Sequence, residues 1–424
     1  MLQPQIAICF LVLIFISQEL YAGKIINATL SQNSSVTNNA RKTETNKITE
    51  FQNQIQLFGD VDYQNSNTEA KVNYFLDQYY FSENSQKDKF ILQGQAYLKL
   101  FNQKKNATVK LSHTQRSLLN NINDVDLVSN RDERKIYTIE PEFTVGLSNV
   151  DAVIFGYKGE DIIYQYADTL NSRRLTSSVM WRHLLSENSS IIVSGLNLDV
   201  KFQDQSKDYH SQSITIRKLK VINKFSYNLM FGMEEFDRQE QNSSEDTTRL
   251  TYSLLIDYEK YWHAWSLKLE RYVSDSSKGA GNAFEFNDVD SDAVADDIFL
   301  YEIYRGIAAW RYKGLCQQCT VAYNFIYQIQ KNEELLGESI EFNHILTGIY
   351  AMTQRSSLNS TLRFRDQKIE EQLTTESFNQ INIQIGYQYT LMKALRMDIA
   401  SEYENRSDIN YKELRIRVGF SYEY

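Results

Sequence analysis

The sequence predicts an all-β fold, a transmembrane antiparallel up-and-down β-barrel of about 18 strands, with 16 the next count. Three observations predict it. Apolar and polar residues alternate over segments of about 10 to 15 residues, longer than a typical soluble strand. Beyond the first twenty or so residues, no stretch reaches the roughly 18 apolar residues that a spanning helix needs. The composition combines 28 Tyr and 22 Phe with only 2 Pro in 424 residues, at a mean hydropathy of −0.47. A disordered chain would not carry so many aromatics. A barrel averages a lipid face with a wet lumen face, so it reads as hydrophilic overall.

The N-terminus reads as a signal peptide, residues 1–22. Ile6 to Ile16 is an apolar run too short to cross a bilayer, and Leu20-Tyr21-Ala22 offers a cleavage site, although Met1 to Gln5 carries no Lys or Arg. Cys9 would leave with that peptide. Residues 23–68 read as a periplasmic lead-in, within which Phe51 to Tyr63 is a candidate extra strand, and 69–424 as the barrel. No Pro-rich or Gly/Ser-rich linker divides the chain. The formal charge of −9 argues against a nucleic-acid partner.

Alternation is plainest near the C-terminus. Leu414, Ile416, Val418, Phe420, Tyr422 and Tyr424 share one face of a strand, and Glu413, Arg415, Arg417, Gly419, Ser421 and Glu423 share the other. Met397, Ile399 and Tyr403 alternate with Arg396, Asp398, Glu402 and Glu404. Earlier, Ile381, Ile383, Ile385, Tyr387 and Tyr389 alternate with Asn382, Gln384, Gly386 and Gln388. The same pattern runs through Leu250 to Tyr258, Trp265 to Leu269, and Leu358 to Arg365. A soluble β-sandwich also alternates, but in shorter strands.

Connections alternate in length. Short ones fall at Ser148-Asn149, Ser186 to Ser189, Tyr261-Trp262, Lys313 to Cys319, Arg355 to Ser357 and Met392-Lys393. Longer ones fall at Ser117 to Arg134, Gln239 to Thr247, Ser274 to Asp297 and Gln367 to Ser377. Short periplasmic turns and long outer loops are the rule in such barrels. Trp262, Trp265, Tyr422 and Tyr424 would then form part of a periplasmic aromatic girdle.

The ending Arg417-Val418-Gly419-Phe420-Ser421-Tyr422-Glu423-Tyr424 resembles the C-terminal assembly signal of bacterial outer-membrane barrels, matched at Arg417, Gly419, Tyr422 and Tyr424. The resemblance implies an outer-membrane location, contact with outer-membrane lipids, and the barrel-assembly machinery as a partner. The stretch Tyr387 to Tyr424, with its Ser-Glu-Tyr-Glu-Asn-Arg-Ser-Asp run, is similar to barrels encoded beside exopolysaccharide and exosortase gene clusters. That similarity implies surface polysaccharide as a candidate partner.

Chemistry-bearing residues are few. Cys316-Gln317-Gln318-Cys319 is read as a disulfide stapling a turn in an oxidising compartment. Asp288, Asp290 and Asp292, followed by Asp296-Asp297, are a weak calcium candidate, read mainly as a solvated acidic loop. None of His113, His183, His210, His263 and His344 has the Ser two residues away that barrel lipases use. Asp124-Val125-Asp126 with Asp208-Tyr209-His210 could mimic the acidic and Asp-x-His pairs of omptin proteases, but both motifs are short and common. No enzyme activity and no cofactor are therefore expected. The inward charges Arg363, Arg365, Arg396, Asp398, Glu402, Glu404, Glu413, Arg415 and Arg417 could satisfy one another across strands or line a polar permeation path. Function thus reads as a channel or exporter of hydrophilic solutes or surface polysaccharide. The alternative is a non-conducting barrel whose acidic loops bind a surface partner, and a hydrolase is the remote third.

Overall fold

In a computed structural model, residues 24–119, 126–203, 207–240, 243–244, 247–278, 300–332, 337–370 and 375–424 are described. Twenty long antiparallel strands close into one barrel, two more than the eighteen expected. They are β1 (Lys24–Thr37), β2 (Glu50–Gln64), β3 (Thr68–Phe81), β4 (Lys89–Phe101), β5 (Ala107–Leu119), β6 (Arg131–Gly146) and β7 (Asp151–Tyr164). Then follow β8 (Ser172–Ser186), β9 (Ser189–Phe202), β10 (Tyr209–Ile222), β11 (Phe225–Glu240), β13 (Thr247–Lys260) and β14 (His263–Asp275). The wall ends with β15 (Leu300–Tyr312), β16 (Cys319–Asn332), β17 (Gly337–Ala351), β18 (Ser356–Glu370), β19 (Thr375–Met392), β20 (Leu395–Arg406) and β21 (Tyr411–Glu423). The remaining strand, β12 (Ser243–Ser244), is a two-residue pairing with β11 outside the wall.

Each wall strand pairs with its neighbours in sequence, and β1 pairs with both β2 and β21, which removes the sheet edges. The extra strands come from residues 23–68. The candidate extra strand Phe51 to Tyr63 is β2, whereas the lead-in read before it is corrected: β1 is a wall strand as well. The reason lies on the outward face of β1, where polar Gln32 and Ser34 stand between Leu30 and Val36 and interrupt the apolar rhythm. Both hydrogen-bond to Asn53 Oδ1 on β2, at 3.4 and 3.1 Å, so the interruption is satisfied within the wall.

Alternation sets the two faces. On β21, Leu414, Ile416, Val418, Phe420 and Tyr422 are exposed, while Tyr411, Glu413 and Gly419 are buried. The outside is therefore a continuous apolar belt and the inside is polar, the inverse of a soluble core. Trp262, Trp265, Tyr422 and Tyr424 are exposed at the end that carries Lys24 and Tyr424. All of the short connections named above lie at that end, and all of the long ones lie at the other. We call these the turn end and the loop end.

Two seams depart from the regular ladder. β4 and β5 pair from Phe101–Thr108 up to Gly94–Gln115 and then stop, although both strands continue. Above that point β4 keeps its pairing with β3, and β5 keeps its pairing with β6. Likewise β13 and β14 stop at Tyr252–Arg271, while β14 stays paired with β15 as far as Asp275. The freed hairpin tips are buried on both faces: Gln115, Ser117 and Leu118 on β5, and Asp275 with Ser276 and Ser277 beyond β14. A wall strand keeps one face against lipid, so burial on both faces means that these tips lean into the lumen.

The β14 tip reaches across the lumen to β7, β8 and β10. Asp275 pairs with Arg174 on β8 at 2.6 Å and accepts a hydrogen bond from the Tyr209 hydroxyl on β10 at 2.5 Å. Tyr164 on β7 donates to the Ser277 carbonyl at 2.7 Å. Around them Ile136, Ile162, Leu170, Val200, Phe202 and Phe236 form an apolar cluster inside the barrel. One side of the loop-end lumen is thus packed solid by protein.

The signal-peptide residues 1–22 lie outside the described residues. So do Asp124 and the acidic run with Asp288, Asp290 and Asp292.

Candidate functional site in the barrel lumen

The other side of the loop-end lumen is hollow. A cavity of about 550 Å³ lies between β2–β5 and β18–β21, within the size range of ordinary ligand sites. Alternation aims its walls. Gln52 on β2, Tyr79 and Phe81 on β3, and Ile91 and Gln93 on β4 face Arg363 and Arg365 on β18, Gln380, Asn382 and Gln384 on β19, and Glu402 and Glu404 on β20.

Two loop segments enter it. The β1–β2 connection turns sharply at Lys42, with φ 53°, and carries the Lys42 ammonium inward to only 7% exposure. There it sits 2.8 Å from Glu404 and 3.8 Å from Glu413 and lies over the Tyr411 ring. Asn39 ties this connection to the wall by donating to the Lys412 carbonyl at 3.2 Å. Burial pulls the Lys42 pKa down, but the two carboxylates outweigh it and hold the group above its usual 10.5. From the β5–β6 connection come Leu127 and Val128, with Asp126 held by Arg131 at 2.6 Å.

The charged residues singled out in the sequence fall into two groups. Arg363, Arg365, Glu402, Glu404 and Arg415 line the cavity. Arg365 pairs with Glu341 at 3.1 Å, and Arg415 with Glu413 at 2.8 Å. Asn382 donates to Glu402 at 2.7 Å and Gln380 to Glu404 at 2.7 Å. Nearer the turn end, Arg417 lies 3.4 Å from Asp398 and Arg396 lies 2.9 Å from Glu423. So the charges form a ladder of pairs along one wall, across strands except for Arg415–Glu413 within β21, and at its loop end that wall faces the cavity.

Within the C-terminal motif, Gly419 faces inward. A Cβ there would come within 2.3 Å of Asp398 Oδ1 and 2.4 Å of Asn33 Oδ1, so the glycine makes room for its neighbours' polar groups. Tyr422 and Tyr424 face outward. Cys316 and Cys319 are joined in a disulfide within the turn between β15 and β16. The protease-like pairs do not converge. His210 Nδ1 bonds Asp199 at 2.8 Å on the outward side of β10, Asp208 accepts from the Phe202 amide at 2.8 Å, and Asp126 lies at the cavity.

Sequence reasoning missed Lys42, Arg131 and the Arg174–Asp275 pair. Each sits in or beside a loop; the partners of Lys42 and Arg174 lie 362 and 101 positions away, whereas Arg131 meets Asp126 within one connection that carries no alternation. The one available signal was Gly94, an isolated glycine inside a strand, which often marks a bend or a close approach of backbone.

No family model matches the chain, and no curated protein matches it. Solved structures do. The siderophore receptor PirA from Acinetobacter baumannii superposes with a TM-score of 0.54 at 10% identity, covering 95% of this chain and 81% of that one. A mutant of the ferric enterobactin receptor PfeA from Pseudomonas aeruginosa gives 0.50 at 7% identity, with the same coverage. The FrpB iron transporter from Neisseria meningitidis gives 0.46 at 9% identity, covering 94% and 81%. The chain has the fold of an outer-membrane β-barrel. At these identities the likeness is one of fold: a closed wall of twenty strands with an apolar outside, the architecture of bacterial outer-membrane proteins. What this barrel holds or passes has to be argued from its own lumen.

Proposed function

We propose that this outer-membrane β-barrel passes a hydrophilic solute through its lumen, entering or leaving by the hollow side of the loop end. The observation that carries this reading is the cavity wall. It presents charge of both signs and a row of amides, Gln93, Gln380, Asn382 and Gln384, each able to donate and accept hydrogen bonds. Such a surface replaces water for a hydroxyl-rich solute better than it selects one sign of ion. Surface polysaccharide is the finer candidate. It accords with the amide row and with the aromatic rings of Tyr79 and Tyr411 in the same wall.

A second reading is favoured by the β14 tip, which fills half of the mouth with an apolar cluster and a buried ion pair. On that reading the barrel is a non-conducting scaffold whose loops bind a surface partner. Reconstitution in planar bilayers separates the two. Discrete conductance steps, with weak preference between cations and anions and block by added oligosaccharide, support passage. Silence in the native barrel and in a variant with the tip contacts removed overturns it.

A further inference from the structure

The split between β4 and β5 leads straight into the cavity. In the register of the paired part, Leu92 would oppose Ser117 and Phe90 would oppose Leu119, yet the ladder ends at Gly94–Gln115. The cavity is lined from both sides of this split: Ile91 and Gln93 on β4, and Ser117 and Leu119 on β5. The split at β13–β14 is different, because no residue of those two strands lines the cavity.

Where the zipper stops is built into the chain. Gly94 has φ 154° and brings its backbone against β3 so closely that a Cβ would lie 2.2 Å from the Asn73 carbonyl oxygen. The Tyr74 ring beside it reaches across to His113 on β5 through its hydroxyl. The His113 ring in turn packs on Tyr137 of β6, with centroids 4.6 Å apart. This clasp of rings ties β3 to β6 just below the split. Above it, among the described residues, side chains bridge the gap: Lys89 Nζ donates to the carbonyls of Val128 and Arg131 at 3.1 and 2.9 Å, and Gln86 accepts from the Ser129 amide at 3.1 Å.

The split lies at the level of the apolar belt. Phe90 and Tyr80 on its β3–β4 side, and Ile163 on β7 level with Gln115, are all exposed on the outside. In the cavity behind it, Ile91, Leu119, Leu127 and Val128 line the side next to the split, beside Gln93, Ser117 and the Asp126–Arg131 pair, whereas the guanidinium groups of Arg363, Arg365 and Arg415 stand on the far wall among Glu402 and Glu404. A molecule entering sideways from the membrane would keep its chain among apolar side chains and bring its head to guanidinium groups, which suit carboxylate and phosphate.

From this we propose that the β4–β5 split is a lateral portal, and that the cavity receives an anionic amphiphile, with a carboxylate or phosphodiester head, from the membrane leaflet at the loop end. The proposal stands apart from solute passage, since a silent barrel could still bind such a molecule.

The test is photolabelling of the full barrel in phosphatidylcholine nanodiscs. Probes carry a diazirine near the end of one acyl chain, on a fatty acid, a phosphatidylglycerol or a phosphatidylcholine. Adducts are mapped by mass spectrometry. Adducts are expected at Ile91, Leu119 and Leu127, enriched about ten-fold for the anionic probes over the zwitterionic one, the scale of one charge-assisted contact. Comparing the two anionic probes tells a free acid from a phospholipid. A disulfide across the split, made with Leu92→Cys and Ser117→Cys, should abolish those adducts and leave labelling at Phe90 and Leu111 unchanged. Native-barrel adducts confined to such outward positions would overturn the portal. Equal labelling of the cavity by all three probes would overturn the anionic ligand.

Discussion

Lys42 shows how one side chain can hold a loop inside a barrel. Its ammonium is buried beside Glu404 and Glu413, so removing it leaves two carboxylates short of a cation. Lys42→Met should destabilise the docked β1–β2 connection by about 3 kcal/mol, the scale of breaking a buried pair. A fluorophore placed through Asn46→Cys would report the release as a gain in mobility. The pH dependence follows from the raised pKa. The group binds its proton more tightly in the folded state, so its contribution is complete below the ordinary value of 10.5. It is lost as pH rises through the higher folded value. The label at position 46 should therefore stay immobile through neutral and mildly alkaline pH and loosen only beyond 10.5. Loosening of the label between pH 7 and 9 would contradict this account.

Two further residues make predictions of the same kind. Asp275 is fully buried against Arg174, and Asp275→Ala strands that guanidinium. A loss of about 3–5 kcal/mol is expected, read by urea unfolding in detergent, together with greater protease access to the β14–β15 connection. Gly94→Ala would drive a methyl group into the Asn73 carbonyl, at a cost of about 1–3 kcal/mol. It should lower the temperature at which the barrel shifts mobility on gels. Parent-like behaviour would mean that β4 can relax away from β3.

Among the elements, legibility depended on which face carried the pattern. Strands such as β19 and β21 were plain because apolar and polar residues alternate without interruption from Ile381 to Tyr389 and from Glu413 to Tyr422. β1 was hidden because Gln32 and Ser34 are polar on its lipid face and find their partner, Asn53, only across the strand pair. The two split seams left no mark on alternation at all, since β4 and β5 each keep a regular neighbour on the other side. What bounds them is long-range: a ring clasp from Tyr74 to Tyr137 that holds the wall together just below one split, and the reach of Asp275 to β8 beyond the other. The disulfide between Cys316 and Cys319 was expected from its spacing within a short turn together with an oxidising compartment. It closes a very short loop, so its removal through Cys316→Ser with Cys319→Ser should cost no more than about 2 kcal/mol. Urea unfolding of the double variant checks this, and a loss larger than that would point to a role beyond the turn.

At the scale of the whole molecule, the lumen is asymmetric: one side of the loop end is filled by the β14 tip, the other holds the cavity. The proposed passage runs along the charge ladder of β18–β21. Substituting Asp275 should widen the mouth and raise single-channel conductance, whereas Arg363→Gln should alter block by oligosaccharide more than conductance itself. The direction of the sequence reading held here, in that both faces of the wall and the sorting of connections by end were visible in the pattern. The strand total and the division of the mouth were not, because both depend on segments whose polar residues are satisfied only in three dimensions.

The closure of β1 on β21 also has a consequence for biogenesis. Thr37 donates to Glu413 at 2.7 Å across 376 positions of chain, so the first wall strand to be synthesised gains its last neighbour only when the final one arrives. Until then it is an unprotected edge, open to pairing with another copy. The hydrophilic residues that hid β1 from view, Gln32 and Ser34, make that waiting edge less adhesive. Replacing both with Val would be expected to leave the finished wall intact while promoting aggregation of nascent chains before closure.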